Sequence, residues 1–321
     1  MASVTATAPA STPFSRYLAK KKVQRAYTWN EMKKHKTLYL FLAPYAILFT
    51  VFVVAPVGVS IFFSFTYFNV LEPPRFIGFQ NYLNLFLADD VFLIAIRNTL
   101  ILALITGPVG YIFAFLFAWF INELPRYLRA FVTLVFYAPT IAGAAFLIWS
   151  LIFSGDAFGY LNAFLMQFGI INEPVLWLSN PQFMMPVIIV VVLWMSLGAG
   201  FLAFIAGLST IDESLYEAGL MDGVKNRWQE LWFITLPNMQ GMLMFGAVMA
   251  IMASFAVGEV TQGLAGFPST DYAVHTVVNH LVDYGAIRFE MGYASAIATI
   301  LFLAMIYTKS LVGKFIMKIG R

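Results

Sequence analysis

Six runs of predominantly apolar residues, at 38–64, 98–121, 130–153, 184–208, 239–260 and 291–312, limit what this chain can fold into. A helix needs about 20 apolar residues to cross the hydrocarbon core of a bilayer, and each run is long enough. Lipid offers no water to pair a backbone N–H or C=O, so a spanning segment must satisfy its own hydrogen bonds. Helices do so segment by segment, whereas exposed strands do not. A composition of 61% apolar and 11% charged residues agrees. The sequence predicts an all-α, polytopic membrane protein with six transmembrane helices.

Lysine and arginine concentrate before the first run, between the second and third, between the fourth and fifth, and in the tail, while Arg75, Arg97 and Arg288 fall in or beside the other loops. Positive charge favours the cytoplasm, which predicts that both termini lie inside. Loops 65–97, 154–183 and 261–290 then face outward, and 209–238 faces the cytoplasm. Residues 1–13 are small and polar and read as disordered. Residues 14–36 carry eight basic side chains among Phe14, Tyr17, Leu18, Tyr27 and Trp29. That pattern reads as an amphipathic segment at an anionic lipid surface, or more plainly as topogenic charge. The first apolar run starts too far along for a signal peptide. The expected division is a cytoplasmic tail 1–37, a transmembrane domain 38–316 and a short cytoplasmic tail 317–321.

Several function classes find no support in the residues. The chain has no cysteine and three histidines, with no HExxH motif or paired metal-ligand spacing. A GxxxxGK[ST] loop is missing and no stretch could hold a nucleotide domain, so ATP hydrolysis is not expected on this chain. Nothing points to a nucleic-acid partner. Among acidic residues only Glu259 comes near a span, at the end of the fifth, so a carboxylate path for coupled protons is lacking. Pro44, Pro56, Pro108 and Pro139 fall inside spans and are expected to bend them.

The segment between the fourth and fifth runs is the most informative. Residues 217–237 read EAGLMDGVKNRWQELWFITLP, too charged for lipid. Thr210 or Asp212 can cap a short helix with Asp212 and Glu213 at its positive end, and Tyr216, Leu220 and Val224 recur along it as an apolar stripe. Gly223 permits a left-handed turn. A second amphipathic stretch, with Trp228, Leu231, Trp232 and Thr235 on one side, ends at Pro237. Glu217 and Asp222 are five apart and form no catalytic pair on one face. Such a hairpin suits docking into a groove on a partner, where a small residue allows close approach and a carboxylate fixes orientation.

At this segment the chain resembles the permease subunits of carbohydrate-uptake ABC importers, the binding-protein-dependent type that includes maltose, lactose, glycerol-phosphate and alginate oligosaccharide permeases. Glu217-Ala218-Gly219 stands where that family usually has Glu-Ala-Ala. Asp222-Gly223 matches its Asp-Gly, and Ile234, Leu236 and Pro237 match its Ile-x-Leu-Pro ending. Phe76-Ile77-Gly78-Phe79-Gln80-Asn81-Tyr82, Asn98-Thr99 and Gly292-Tyr293-Ala294-Ser295-Ala296 extend the likeness over residues 38–316. The departure is Gly219 for the second alanine, which lowers helix propensity by about 1 kcal/mol.

The resemblance implies a type I importer permease core with coupling helices between spans four and five. It assigns ATPase coupling to Glu217, Ala218, Gly219, Asp222, Gly223, Leu236 and Pro237. The implied partners are a second homologous permease, two ATPase subunits carrying ATP and Mg, an extracytoplasmic solute-binding protein and anionic lipids. The chain itself would bind no cofactor. The implied location is a bacterial or archaeal plasma membrane, the inner one in a Gram-negative cell. For a sugar path, Trp194, Ser196, Glu259, Tyr272 and Asn279 could offer hydrogen bonds or an aromatic face. A stand-alone ion-coupled transporter and a non-transporting structural membrane partner remain alternatives.

Overall fold

The computed structural model describes Thr28 and residues 31–318, so the expectations that rest on residues 1–27, 29–30 and 319–321 lie outside the described residues. By its internal contacts the chain divides into two units, residues 1–59 and 60–321. The first holds α1 (Lys36–Phe49), a π turn over Thr50–Val54, and the start of α2 (Ala55–Phe63). Leu40, Phe41, Tyr45 and Phe52 on it are exposed, as suits a helix that is apolar all round and solvated by lipid. Pro44 is accommodated within α1. Pro56 has no N–H to continue the ladder, and the five residues ending at Val54 open into the wider turn.

The second unit begins at one end with a small cap. A two-strand hairpin, β1 (Thr66–Tyr67) with β2 (Arg75–Phe76), pairs Thr66 with Phe76 and Tyr67 with Arg75. It is followed by α3 (Gln80–Leu87). Buried Asn81 donates to the carbonyls of Ser64 and Thr66 at 2.9 Å each, and the Tyr82 hydroxyl donates to Ser64 Oγ at 2.6 Å. These bonds give the Gln80-Asn81-Tyr82 motif a structural task.

Span two is α4 (Asp90–Asn122), which starts well before the expected 98. The reason is Asp89, whose Oδ1 accepts the Phe92 N–H at 2.8 Å and caps the helix there. The helix continues through Pro108. Its buried face carries Ala95, Thr99, Ala103, Thr106, Gly110, Ala114 and Ala118, small residues that let neighbouring backbones approach. Span three departs from a single bent helix. α5 (Arg126–Ile141) meets a second helical segment, Ala144–Ile152, at 84°. Pro139 stays inside α5; the break lies at Gly143, whose φ of +61° is easily reached only by glycine. The second segment is a 3₁₀ turn, Ala144–Leu147, leading into α6 (Ile148–Ile152).

Next come α7 (Tyr160–Gln167) and span four, split into α8 (Pro181–Trp194) and α9 (Ala199–Leu208). Asn162, fully buried, accepts the Trp177 indole N–H at 2.8 Å and the Val175 N–H at 3.1 Å, folding the loop ahead of α8. Two short helices, α10 (Glu213–Met221) and α11 (Arg227–Glu230), lead through a π turn at Leu231–Thr235 to α12 (Leu236–Asn238). Span five is α13 (Gln240–Phe255) with α14 (Gly258–Ala265). α15 (Val277–Val282) precedes span six, α16 (Met291–Ile316). Five helical stretches are long and apolar enough to cross a membrane, or six with the bent pair, among the described residues. The core of this unit joins α4, α9 and α13 through Phe115, Phe201, Phe204 and Leu243.

Candidate functional site: the 209–238 hairpin and the cavity above it

Asp212 caps α10 by accepting the Ser214 N–H at 3.0 Å, one of the caps expected from sequence. The helix ends at Gly223, φ +92°, with the Val224 N–H donating to the Gly219 carbonyl at 2.9 Å. On α10 the buried residue is Gly219, while Leu220 is 59% exposed, so the expected Tyr216-Leu220-Val224 stripe is corrected to a face built on Tyr216 and Gly219. Ile234 packs over this glycine: a Cβ at 219 would stand 2.5 Å from its Cδ1, the mobile end of that side chain. The Tyr216 hydroxyl meets Thr235 Oγ1 at 3.0 Å.

The second stretch is corrected in the same way. Leu231, Ile234 and Thr235 are buried, but Trp228 and Trp232 are exposed. Because α10 receives Ile234 and Thr235, the sheltered face turns toward them and the tryptophans turn out. Pro237 cannot donate a backbone bond, and the next residue, Asn238, donates its Nδ2–H to the Ile234 carbonyl at 2.7 Å. Glu217, Ala218, Asp222 and Gly223 are exposed, beside Met221 at 90% exposure; Leu236 and Pro237 are half-buried. Leu220 and Met221 thus present apolar side chains on the same short helix as the exposed carboxylates of Glu213 and Glu217. Gly223→Val is expected to lower the unfolding temperature in detergent, because a β-branched residue at φ +92° is strained; an unchanged unfolding temperature would show the turn to be tolerant.

Deeper in the unit, the break between α8 and α9 borders a cavity of about 350 Å³. Its polar lining is hydroxyl: Thr106 and Tyr111 from α4, Tyr137 and Thr140 from α5, Ser196 from the break and Ser254 from α13. No aspartate, glutamate, lysine or arginine borders it. Ser196 Oγ is buried without a hydrogen-bond partner. Of the residues proposed from sequence for a path, Ser196 alone borders this cavity. Trp194 packs edge-on against Trp149 at 5.5 Å. Glu259 is exposed in the first turn of α14, and Arg288 pairs with Asp283 at 2.6 Å. Tyr272 offers its carbonyl to Asn98 at 2.9 Å. Asn279 is buried, its amide donating to Thr261 Oγ1 at 3.1 Å and accepting from Thr276 at 2.7 Å. Hydroxyls interrupting apolar helices were the signal for Thr106 and Ser254.

At the far end of α4 a cluster that sequence reasoning missed ties distant segments together. Asp89 Oδ2 accepts from Tyr293 at 2.8 Å and from His280 Nε2 at 3.0 Å. His280 Nδ1 stands 3.4 Å from His275 Nε2, and both rings are buried. Burial, aided by His280, pulls His275 down to about 4 against the attraction of Asp283 and Asp89. His280 is also lowered, burial outweighing the pull of Asp89. Burial raises Asp89, but the Phe92 N–H, Tyr293 and His280 together bring it below its ordinary value. Near pH 7 the His280–Asp89 contact is therefore a hydrogen bond from a neutral imidazole. Unfolded histidines titrate at about 6.5, so both contribute stability above that value that is lost as pH falls below it, in the case of His275 down to about 4. Thermal unfolding in detergent is expected at a lower temperature at pH 5 than at pH 7.5; a flat profile would contradict this account.

Comparison with known proteins fits these features. The family described as "Binding-protein-dependent transport system inner membrane component" matches residues 107–319. The "Probable ABC transporter permease protein YesP" of Bacillus subtilis (strain 168) is 31% identical over 284 residues, 84% of this chain and 89% of that protein. The "Lactose transport system permease protein LacF" of Rhizobium radiobacter is 28% identical over 273 residues, covering 83% and 89%. A chain from the crystal structure of a bacterial ABC transporter involved in import of the acidic polysaccharide alginate superposes with a TM-score of 0.72. It is 24% identical, over 92% of this chain and 100% of that one, which makes it a relative in fold. The fold is that of a multi-pass, all-α membrane protein. The chain belongs to the family of binding-protein-dependent transport system inner membrane components.

Proposed function

We propose that this chain is a permease subunit of an ATP-driven importer for a sugar or oligosaccharide, forming half of the translocation pathway. The observation that carries the reading is the hairpin at 209–238, anchored by Gly219, Tyr216 and Ile234 while Glu217, Ala218, Met221 and Asp222 face out. It supports a type I permease core of six spans in which α10 docks into a groove on an ATPase subunit. Glu217 orients α10 through charge-assisted bonds, Gly223 closes the turn, and Leu236 and Pro237 join the hairpin to span five. ATP and Mg act on two separate ATPase subunits, and a second permease completes the path.

The positive-inside pattern supports cytoplasmic termini and a hairpin facing the cytoplasm of a bacterial or archaeal cell. A solute-binding protein then delivers cargo to the opposite face, and the basic tail 1–37 meets anionic lipid, ahead of the transmembrane domain 38–316. The cavity, lined by hydroxyls and free of charged side chains, fits a neutral carbohydrate, whose own hydroxyls can exchange bonds with Ser196 and its neighbours. Relatives named for lactose, arabinooligosaccharides and sulfoquinovosyl glycerol support carbohydrate as the class.

The test is uptake of a labelled carbohydrate panel into liposomes holding this chain with its neighbouring permease, ATPases and solute-binding protein. ATP-dependent accumulation of one compound is expected. Accumulation without ATPases under an ion gradient would overturn the proposal in favour of secondary transport, and assembly with no cargo movement would favour a structural partner.

A further inference from the structure

Helix α4 is held at both ends by segments far from it in sequence. At one end Trp119 contacts Trp228 with ring centres 5.4 Å apart, and Glu123 Oε1 lies 3.6 Å from Arg227 Nη2. Arg227 opens α11, whose start is fixed by Asn226 accepting the Gln229 N–H at 2.9 Å, and it also holds Glu230 at 2.9 Å. At the other end Asn98 donates to the carbonyls of Tyr272 and His275 at 2.9 and 3.0 Å. Thr99 Oγ1 accepts the Val277 N–H at 2.9 Å, and Asp89 takes His280. The 33 residues of α4 that carry or join these grips form one helix, about 50 Å long at the usual rise.

We propose that α4 carries movement of the 209–238 hairpin to the 266–290 segment, with Arg227 as the positioning residue that grips Glu123 at the inner end. This rests on the proposed function, in which an ATPase moves the hairpin. The Arg227 and Glu123 side chains are 65% and 47% exposed, so the pair adds little to folding stability. Its consequence is geometric. Inside the hairpin α10 is fastened to the Ile234–Thr235 turn, and α11 is the part that reaches across to span two. A push on α10 thus reaches the end of α4 through the Arg227 and Trp228 side chains, beside the buried Leu231, which shares a core with Ala118 and Ile121. The far end of α4 is bonded mostly to backbone of the 266–290 segment, so axial displacement or rotation would move that segment without needing to break its own fold. A physical coupling claim of this kind requires measured coupling.

The chain has no cysteine, so a single introduced thiol can report on the far end. Thr270 is exposed within that segment. With Thr270→Cys labelled by an environment-sensitive fluorophore in the reconstituted complex, ATP is expected to change the signal in an otherwise wild-type chain. Arg227→Ala or Glu123→Ala should each reduce that change and the cargo moved per ATP about threefold, with complex yield and ATP hydrolysis retained. The double variant should be no worse than either single one, and Arg227→Lys should retain coupling. Wild-type coupling in both single variants would overturn the proposal, as would a double variant whose loss is the product of the two single losses. In the same preparation, wild-type uptake by Glu217→Ala would instead sink the assignment of the hairpin as the ATPase contact.

Discussion

Replacing Glu217 with alanine is expected to cut ATP-driven uptake by about tenfold or more while leaving the chain inserted in the membrane. Glu217 lies on the exposed side of α10, opposite the Gly219 contact with Ile234, and makes no ion pair among the described residues. Its loss therefore removes nothing that holds the hairpin together. A charge-assisted hydrogen bond to a partner is worth about 1.5–3 kcal/mol, and about 1.4 kcal/mol is a factor of ten in an equilibrium. The measurement is co-purification with the ATPase together with uptake in liposomes. Wild-type values in both would sink the view that this carboxylate orients α10 on its partner.

Gly292→Val is expected to destabilise the second unit by about 2 kcal/mol or more, the cost of forcing atoms into a packed site. A Cβ at 292 would collide with the carbonyl oxygen of Thr66 and stand 3.1 Å from the Phe68 nitrogen. Both are backbone atoms of the hairpin and cannot swing aside. The Gly292 N–H donates to the Phe68 carbonyl at 3.0 Å, so moving the chain apart would also break that bond. Gly241, with nothing within 4 Å of its Cβ position, provides the control as Gly241→Ala. Thermal unfolding in detergent is expected to separate the two variants clearly, with Gly241→Ala near wild type. Equal stability of Gly292→Val and wild type would show that the cap can yield.

These two residues illustrate how unevenly the sequence can be read. Glu217 belongs to a hairpin whose cap, turn and terminating proline are local features: Asp212, Gly223 and Pro237 each act within a few residues of themselves. Gly292 also carried a family signal, but its physical reason, the Thr66 carbonyl, lies in a segment more than two hundred residues away. The same holds for Asp89, whose acceptor role joins it to His280 across a separation of 191 positions. Asn279 illustrates the opposite failure. Its polarity among apolar neighbours suits a sugar contact, yet Thr261 and Thr276 satisfy its amide inside the fold.

The membrane class, the approximate spans and the hairpin between the fourth and fifth were legible along the chain. Each follows from apolar length, backbone hydrogen bonding in lipid or local capping, all of which act along a short stretch of chain. Tertiary structure alone decided the 84° break at Gly143, the split of span four at the cavity and the inward turn of Gly219 toward Ile234. It also decided that the cavity meets hydroxyls and no charge. Those outcomes depend on which faces of separate helices pack together, and hydropathy along one strand of sequence carries no information about the neighbour a face will meet.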